Sequence, residues 1–205
     1  MVERQLRRRG IEDGRVLAAM GRVPRELFVP ANLREYAYDD GALPIGHGQT
    51  ISQPYIVATI CSLLKLAGEE RVLDVGAGSG YQAAVLAELA REVVTIERIP
   101  ELAERAKASL VAAGYSEVEV VVGDGSLGVP GRAPFDAIAV AAAAPQVPDA
   151  LYAQLRVGGR LVVPRGTRWG QDLVQVVKTA EGPVESATVP CRFVPLVGDE
   201  GFGED

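Results

Sequence analysis

An eleven-residue stretch, RVLDVGAGSGY at 71–81, constrains the fold more than any other segment. Val72, Leu73 and Val75 form a short apolar run rich in β-branched residues, which is typical of a strand buried on both faces of a sheet. Three glycines end the run, and an apolar pattern of helical period follows over 83–89. A strand, a glycine turn and a helix in this order bring backbone N–H groups and a positive helix end together. The stretch therefore predicts a ligand-binding turn, with a tight turn that binds nothing as the alternative.

The spacing of the glycines narrows the class of ligand that the turn can bind. A dinucleotide-binding fingerprint requires a third glycine three places after the second. Here Tyr81 occupies that place, and the third glycine comes early, at Gly80 after Gly76 and Gly78. The G-x-G-x-G form preceded by Asp74 resembles the first motif of the class I S-adenosylmethionine-dependent methyltransferases, whose loop lies against the amino-acid part of the cofactor. A nicotinamide-dependent oxidoreductase is the less favoured alternative because of Tyr81.

Strands and helices alternate from residue 70 onward. The patterns predict strands over 71–75, 92–97, 118–122, 135–140 and 159–163, and helices over 100–113 and 150–155. Two further strands over 173–178 and 184–194 predict an antiparallel pair at the C-terminal end. Such alternation implies a doubly wound, mainly parallel sheet with helices on both faces. The predicted fold class is therefore α/β, of the Rossmann-like type found in class I methyltransferases.

Residues 1–67 predict an N-terminal extension of helices and loops. We expect short helices over 1–9, 13–20 and 25–28, an irregular segment over 36–48, and a helix from Pro54 that Ser52 caps. The α/β core then covers 70–197, and the acidic, glycine-rich tail at 198–205 is expected to be loosely ordered. We predict that all 205 residues form one domain.

Composition excludes several classes of function. The net charge of −6 and the pI near 5.0 argue against a surface that coats nucleic acid. Four N-terminal arginines (Arg4, Arg7, Arg8 and Arg9) are interpreted as a solvated helix face. The two cysteines, Cys61 and Cys191, have no metal-ligand spacing, so we expect reduced structural thiols and no metal site. No segment resembles a membrane span or a signal peptide, which predicts a cytoplasmic protein with no membrane partner.

Polar residues follow two of the predicted strands at the end where ligands bind in parallel sheets. Glu97 ends the second strand, 17 residues beyond Gly80, where a carboxylate can accept hydrogen bonds from both hydroxyls of a ribose. Asp124 and Gly125 follow the third strand, where they could bind an adenine amino group and a ring nitrogen. The alternatives are a surface glutamate beside Arg98 and an ordinary Asp-Gly turn.

The fourth strand ends in four alanines at 141–144 and carries no reactive group. The motif of methyltransferases that act on DNA amino groups and the acidic metal ligands of catechol methyltransferases are both missing there. The reacting group must come from another segment. The polar stretch GQTISQPY at 48–55 is the better candidate, because His47, the one histidine, is interpreted as an incidental loop residue.

At this point the sequence resembles a specific family. GQTISQPY, VLDVGAGSGYQ, VVTIER, VGDG, FDAIAVAAAAP, LRVGGRLVVPRG and RFVPLVGDEGF together are similar to the protein-L-isoaspartate O-methyltransferases, from residue 43 to 202. The ISQP segment is the specific part. The resemblance places the catalytic serine on Ser52. It places cofactor contacts on Thr50, Ile51, Ser52, Asp74, Val75, Gly76, Ala77, Gly78, Gly80, Glu97, Arg98, Asp124, Gly125 and, less firmly, Val197.

The resemblance implies transfer of the methyl group of S-adenosylmethionine to the free α-carboxylate of L-isoaspartyl residues, with S-adenosylhomocysteine as product. It also implies damaged proteins and isoaspartyl peptides as partners, and we expect a monomer. A carboxylate is already ionised at neutral pH, so the reaction needs positioning and no general base. Two alternatives stay open: another class I methyltransferase acting on a small molecule, and a cofactor-binding module without activity.

Overall fold

Seven strands form the main sheet in a computed structural model, which describes residues 1–203. The strands of this sheet are β3 (Arg71–Val75), β4 (Glu92–Glu97), β5 (Glu119–Val122), β6 (Phe135–Val140), β7 (Leu155–Gly166), β8 (Gln171–Thr179) and β9 (Gly182–Cys191). A separate hairpin consists of β1 (Leu43–Gly46) and β2 (Gln49–Ile51). The α-helices are α1 (Gly14–Arg22), α2 (Pro54–Leu64), α3 (Tyr81–Ala87), α4 (Pro100–Ala112) and α5 (Asp149–Gln154).

The order of the strands in the main sheet is β5-β4-β3-β6-β7-β8-β9. The first five strands of that order run parallel, and β8 pairs antiparallel with both β7 and β9. The predicted parallel sheet with a closing antiparallel pair is therefore confirmed. The chain moves outward from β3 to β4 and β5, then crosses back to β6 on the other side of β3. This reversal opens a crevice at the carboxyl ends of β3, β4 and β6, where ligands bind in such sheets.

The sheet separates two apolar layers because successive side chains in a strand point to opposite faces. One layer contains Val72 and Ala137 together with α2 and α3, and it also includes Leu6 and Val16 of the N-terminal segment. The other layer lies between the sheet and α5. The N-terminal extension and the α/β core thus share one buried cluster. This continuity supports our proposal that the chain forms a single domain.

The N-terminal extension differs from the prediction in three places. The predicted helix over 1–9 is a π-helical turn, Val2–Leu6, followed by a 3₁₀ turn, Arg7–Arg9. The segment expected to be irregular contains the β1–β2 hairpin, whose short strands lack a long period-2 pattern. Ser52 does not cap α2: Gln53 occupies the N-cap position without a side-chain bond, and Pro54 begins the helix. The helix predicted over 25–28 is a 3₁₀ turn, Arg25–Phe28, and the helix predicted over 13–20 is α1.

Surface and membrane features are limited in the part of the chain that the structure describes. No helix within 1–203 is long and apolar enough to cross a membrane. The same residues hold no cluster of three or more His, Cys, Asp or Glu side chains that could bind a metal ion. Cys61 is buried and Cys191 is half-buried, and both are free thiols. Arg9 forms an ion pair with Asp40 and stacks on another side chain, so it does not extend an open basic face.

The third motif glycine, Gly80, is required by packing between helices. Its φ of +89° lies in the left-handed region, and an added Cβ would lie 3.2 Å from both Ala106 O and Leu110 Cγ of α4. Glycine adopts this conformation without a steric cost. Gly80 therefore allows α3 to begin close to α4.

We predict that Gly80→Ala lowers the free energy of unfolding by about 1–3 kcal/mol, because the new methyl group meets strain and crowding together. Urea denaturation followed by circular dichroism measures the change. Gly131→Ala is the matched control, since a Cβ there has no neighbour within 4 Å and its φ is not left-handed. A Gly80→Ala protein as stable as the control would contradict the packing explanation.

Candidate active site

A cavity lies at the carboxyl ends of β3, β4 and β6, below the β1–β2 hairpin. Its walls come from the hairpin and the loop after it, the glycine loop after β3, the end of β4, the loop after β6 and the segment after β9. The residues that line it are Gln49, Thr50, Ile51, Ser52, Val57, Gly76, Ala77, Gly78, Ser79, Tyr81, Gln82, Ile96, Glu97, Arg98, Ile99, Gly125, Ala141, Ala142, Val194, Pro195, Leu196 and Val197.

The glycine loop is fastened to β4 by its own backbone. The N–H groups of Gly76 and Ala77 both donate to Ile96 O, at 2.9 and 3.1 Å, and the N–H of Gly78 donates to the Glu97 carboxylate at 2.9 Å. Gly76 has a φ of +93°, which a side chain would strain. The loop consequently presents bare backbone toward the cavity at a fixed position.

Glu97 lies at the junction of the glycine loop and β4, and it is 6% exposed. One carboxylate oxygen accepts from Gly78 N, and the other accepts from Ile99 N at 3.1 Å. Each carboxylate oxygen has two lone pairs, so each can accept a second hydrogen bond from a ligand in the cavity. The predicted position of Glu97 at the end of β4 is confirmed, and its side chain is held ready for a pair of hydroxyl groups.

Asp74 lies beneath the glycine loop and does not line the cavity. It is 0% exposed, and its two oxygens accept from Gln82 Nε2 at 2.7 Å and from Thr95 Oγ1 at 2.8 Å. Burial raises the pKa of Asp74 to about 6, against the effect of these two hydrogen bonds. Asp74 therefore lies outside the residues that line the cavity and orients Gln82, which does line it and whose buried Oε1 has no partner in the described chain.

Val75 and Gly80 also lie away from the cavity. Val75 is fully buried and packs under the next loop, where an added Cβ on Gly125 would come within 2.8 Å of Val75 Cγ1. Gly125 itself lines the cavity, and the close approach of Val75 leaves no room for a side chain there. Neither Val75 nor Gly80 is among the residues that line the cavity.

Asp124 is committed to the C-terminal segment rather than to the cavity. Its Oδ1 accepts from the N–H and the hydroxyl of Ser126, at 2.8 and 2.7 Å, and its Oδ2 accepts from Asp199 N at 2.8 Å. Burial opposes ionisation, but the hydrogen bond from Asp199 and those from Ser126 hold the pKa of Asp124 below its ordinary value. The predicted binding of an adenine amino group by this side chain therefore competes with an existing structural bond.

The tail was expected to be loosely ordered, and over the described residues this expectation is wrong. Phe202 N donates to Leu196 O at 2.7 Å and Gly201 N donates to Gly198 O at 3.1 Å, which closes a compact turn. Arg168 donates to Gly203 O at 2.7 Å and stacks over Phe202. Composition alone does not reveal this order, because the partners lie far away in the sequence. The last part of the predicted tail, 204–205, lies outside the described residues.

Ser52 follows the β1–β2 hairpin and is the predicted catalytic residue. Its carbonyl accepts from Arg25 Nη2 at 2.9 Å, which fixes the backbone of the loop. Among residues 1–203 no group hydrogen-bonds its hydroxyl, so that donor is available to a ligand. His47 lies at the exposed turn of the hairpin with a φ of 54°, outside the cavity walls. The structure thus brings Ser52 to the site and leaves His47 away from it.

A second, shallower groove adjoins the cavity. Thr50, Ser52, Ala141 and Val194 line both, so Ser52 stands at the junction. The remaining walls of the groove include the segment after β9 and residues 41–42 before the hairpin. Within the described chain, the N–H of Val194 and the carbonyl of Arg192 have no backbone partner. A backbone edge of this kind can pair with an extended peptide.

Several lining residues were not among the predicted contacts. They are Gln49, Val57, Ser79, Tyr81, Gln82, Ile96, Ile99, Ala141, Ala142, Val194, Pro195 and Leu196. Half of them directly adjoin a predicted residue, so the spacing of the motifs could have suggested them. The others are Val57, Gln82, Ala141, Ala142, Val194 and Pro195. The segment 194–196 reaches the site because Ala143 N donates to Val194 O at 2.8 Å and Leu196 N donates to Ala143 O at 2.7 Å.

These features define what the cavity can accommodate. Bare backbone and an unpaired amide oxygen suit the polar end of an amino acid, while Glu97 suits a diol. Ile96, Ile99 and Leu196 supply apolar walls for a flat ring, and Gly125 leaves space beside them. Ser52 then offers a hydroxyl donor where the cavity opens to the groove. The set of donors and acceptors fits a nucleoside joined to an amino acid, with a second substrate entering from the groove.

Comparisons with known proteins agree with this geometry. The family profile described as protein-L-isoaspartate(D-aspartate) O-methyltransferase (PCMT) matches residues 1–201. A protein-L-isoaspartate O-methyltransferase of Methanoculleus marisnigri is 57% identical over 205 residues, covering 98% of this chain and 92% of the relative. Protein-L-isoaspartate O-methyltransferase 2 of Marinobacter nauticus is 58% identical, covering 98% of this chain and 93% of the relative.

Solved structures show the same fold. A protein-L-isoaspartate O-methyltransferase structure superimposes with a TM-score of 0.86 at 31% identity, covering 98% of this chain and 67% of the other. A Plasmodium falciparum protein assigned to the same activity, in complex with S-adenosyl-L-homocysteine, gives a TM-score of 0.82 at 25% identity. That comparison covers 93% of this chain and 94% of the other.

The bonds to Asp124 predict an acid-sensitive C-terminal segment. The pKa of Asp124 is lowered in the folded state, so ionised Asp124 stabilises the fold fully above the ordinary aspartate pKa of about 3.9. This stabilisation is lost as the pH falls through the pKa of Asp124 in the folded state. We expect Asp124→Asn to raise amide hydrogen exchange over 198–202 at pH 7 by about fivefold or more, as expected for losing a hydrogen bond to a charged acceptor.

Exchange followed by mass spectrometry at matched pH tests this prediction, since intrinsic rates cancel between variants. Glu70→Gln is the control, because Glu70 also has a lowered pKa but binds Ala67 N and Gly68 N instead. Equal protection of the segment in Asp124→Asn and the parent chain would show that other contacts hold it.

Proposed function

The chain belongs to the protein-L-isoaspartate(D-aspartate) O-methyltransferase family, and from this membership we propose how its residues divide the work of the reaction. It is an S-adenosylmethionine-dependent carboxyl methyltransferase that acts on isoaspartyl residues of proteins. The assignment of residues depends mainly on one observation: Ser52 lies where the cavity meets the groove.

The reaction makes limited chemical demands on the protein. S-adenosylmethionine, when bound, supplies an electrophilic methyl group on a positively charged sulfur. The substrate carboxylate is ionised at neutral pH, so no side chain has to remove a proton. A carboxylate oxygen forms the new bond to the methyl carbon as the carbon–sulfur bond breaks, and sulfur keeps the electron pair. The protein therefore acts through proximity and alignment.

We propose that the cavity holds the cofactor with the ribose at Glu97 and the amino-acid part at the glycine loop. The spare lone pairs of Glu97 support this placement, as does the orphan Oε1 of Gln82, which can accept from an ammonium group. The backbone at Gly125 and the wall at Leu196 then suit the adenine ring. The remaining predicted contacts, Thr50, Ile51, Gly76, Ala77, Gly78, Arg98 and Val197, all line the same cavity and stay in the proposal.

We propose that Ser52 positions the substrate carboxylate. Its free hydroxyl can donate to one carboxylate oxygen while the other oxygen attacks the methyl group. Nothing among residues 1–203 forms a base for this hydroxyl, because His47 lies at the hairpin turn outside the cavity. A covalent role for Ser52 therefore lacks the activating partner that nucleophilic serines need.

The groove supports recognition of peptide backbone. An isoaspartyl residue passes its main chain through the side-chain carbonyl and leaves the α-carboxylate free. The unpaired backbone groups at Arg192 and Val194 can bond an extended peptide on one side, and Pro195 limits this edge because it has no N–H. We therefore propose broad tolerance of neighbouring side chains and a requirement for locally unfolded segments.

We further propose a monomeric, cytoplasmic enzyme that binds neither nucleic acid nor membranes. The free thiols of Cys61 and Cys191 support a reducing compartment. The net charge of −6 disfavours contact with nucleic-acid phosphates.

Loss of the Glu97 carboxylate should weaken the cofactor. We expect Glu97→Ala to reduce the affinity for S-adenosylhomocysteine by about 1.5–3 kcal/mol, the usual value of hydrogen bonds to a charged acceptor. Isothermal calorimetry measures it, and Glu92→Ala at the other end of β4 serves as the control. Unchanged affinity would place the ribose elsewhere, and tight binding of NAD would contradict the cofactor assignment.

Removal of the Ser52 hydroxyl should affect turnover more than binding. We predict that Ser52→Ala lowers kcat by about ten- to a thousandfold, the range for losing one positioning donor, while cofactor affinity stays within about twofold. Radiolabelled methyl transfer to a short isoaspartyl peptide measures this. Thr50→Ala is the companion variant, since Thr50 lines the same junction. Near-normal turnover in Ser52→Ala with a large loss in Thr50→Ala would move the role to Thr50.

A matched pair of peptides tests the function itself. The two peptides differ only in aspartyl or isoaspartyl linkage at one position, and we expect the isoaspartyl form alone to accept methyl groups at an appreciable rate. The physical reason is that only the isoaspartyl linkage places a free carboxylate directly beside the peptide backbone that the groove is proposed to bind. Equal rates on both peptides, or transfer to neither alongside activity on a small molecule, would defeat the proposed assignment of the groove.

A further inference from the structure

Arg25 is buried without a counterion. It belongs to the 3₁₀ turn Arg25–Phe28 of the N-terminal extension, and it is 0% exposed. In the part of the chain that the structure describes, no carboxylate lies within ion-pair distance of its guanidinium. Fully buried arginines are usually paired with an anion, because removing an isolated charge from water is costly. An uncompensated cation at this depth therefore requires an explanation.

Neutral groups hold the guanidinium in place. Nε donates to Ala37 O at 2.7 Å, and Nη2 donates to Ser52 O at 2.9 Å. The guanidinium carbon lies 4.7 Å from the centre of the Tyr81 ring, at a cation–π distance. Nη1 is buried and has no hydrogen-bond partner. Burial lowers the pKa of Arg25, but an arginine side chain remains charged at neutral pH.

These contacts connect the charge to two residues of the site. Tyr81 lines the proposed cofactor cavity, and Ser52 lines both the cavity and the groove. Arg25 is not among the lining residues of either, so Ser52 and Tyr81 separate its guanidinium from the space that a ligand would occupy. In this water-poor surrounding, a fixed charge acts over several ångströms with little screening.

We propose that Arg25 is the positioning residue of the Ser52 loop and supplies the fixed positive charge that attracts the substrate carboxylate. This inference rests on the proposed function of the site. The rest of the molecule opposes an anionic substrate, since the net charge is −6 and Glu97 contributes a carboxylate to the same cavity. A buried cation beside Ser52 offsets that repulsion where the carboxylate must rest. The substrate carboxylate then provides the negative charge that the described chain does not provide near Arg25.

Two other arginines lie near the site and are weaker candidates for this charge. Arg192 lines the groove but is exposed, so water and salt screen it. Arg98 lines the cavity on the side of Asp124, whose ionisation it favours. Neither contacts the backbone of Ser52. Arg25 alone among these three combines burial with a direct bond to the Ser52 loop.

Two peptide ligands isolate the effect of charge. They are identical except that one carries the free α-carboxylate of the isoaspartyl residue and the other carries a carboxamide there. The carboxamide keeps an oxygen that Ser52 can donate to, so the two peptides have the same shape and an acceptor in the same place, and they differ in charge. Calorimetric affinities are measured on the full chain saturated with S-adenosylhomocysteine. We expect the parent protein to prefer the carboxylate by on the order of tenfold or more.

Variants then assign the preference. Arg25→Gln keeps polar donors but removes the charge, and we expect its preference to fall to about twofold or less. Arg25→Lys keeps the charge, so it should keep most of the preference while losing turnover, because lysine cannot bond Ala37 O and Ser52 O as a rigid fork. Arg192→Gln should retain the preference, because Arg192 is exposed and does not bond the Ser52 loop. A purely structural Arg25 would instead weaken both peptides equally.

Several outcomes would overturn the proposal. They are an unchanged preference in Arg25→Gln, loss of the preference in Arg192→Gln, and loss of the parent's preference when NaCl is raised from about 50 to about 300 mM, since a buried charge is screened less. The last two decide the matter even if the Arg25 variants do not fold. Failure of the parent protein to methylate isoaspartyl peptides would instead contradict the proposed function.

Discussion

Three hydrogen bonds between the glycine loop and the end of β4 support everything else in the site. The N–H groups of Gly76 and Ala77 converge on Ile96 O, and the N–H of Gly78 bonds the Glu97 carboxylate. These bonds link the loop after β3 to the end of the neighbouring strand β4, and they fix the position of the loop relative to the sheet. The bond from Gly78 N, together with one from Ile99 N, holds both carboxylate oxygens of Glu97 from the protein side. A ligand therefore meets a loop and a carboxylate that are already in place, and little ordering is left for binding to supply.

Three carboxylates near the crevice have different tasks because their surroundings differ. Glu97 keeps lone pairs on the cavity side. Asp74 is enclosed and uses both oxygens on Gln82 and Thr95, and Asp124 uses both on Ser126 and Asp199. A buried or half-buried carboxylate must be satisfied by donors, and the nearest donors decide which way it faces. The two aspartates thus hold neighbouring parts of the protein in place, namely Gln82 and the C-terminal segment.

The N-terminal extension contributes Ser52 and the hairpin to the site. Arg105 of α4 donates to Ile45 O of this hairpin at 2.8 Å, and Ser52 follows the hairpin directly. Arg25, from an earlier turn of the same extension, bonds the carbonyl of Ser52. In the proposed mechanism the sheet binds the cofactor, and the extension positions the substrate carboxylate. This division explains why a general α/β scaffold can carry a specific reaction: the scaffold positions the cofactor, while an added segment selects what approaches it.

The sequence by itself determined the sheet and the edge of the sheet at which the cavity lies. Strand bounds at β3, β4 and β6 followed from apolar runs that must be buried on both faces, and the glycine spacing with Glu97 marked the crevice, because these signals are local. Only the tertiary structure decided which groups the side chains of Asp74 and Asp124 bond and that the C-terminal segment is ordered. It also decided that Gly80 packs closely against α4 and that Arg25 is buried. Each of these depends on partners distant in sequence: Asp124 meets Asp199, and Arg25 meets Ser52. A charged residue in a short polar turn has the pattern of a surface group, and nothing local reveals that the fold will enclose it.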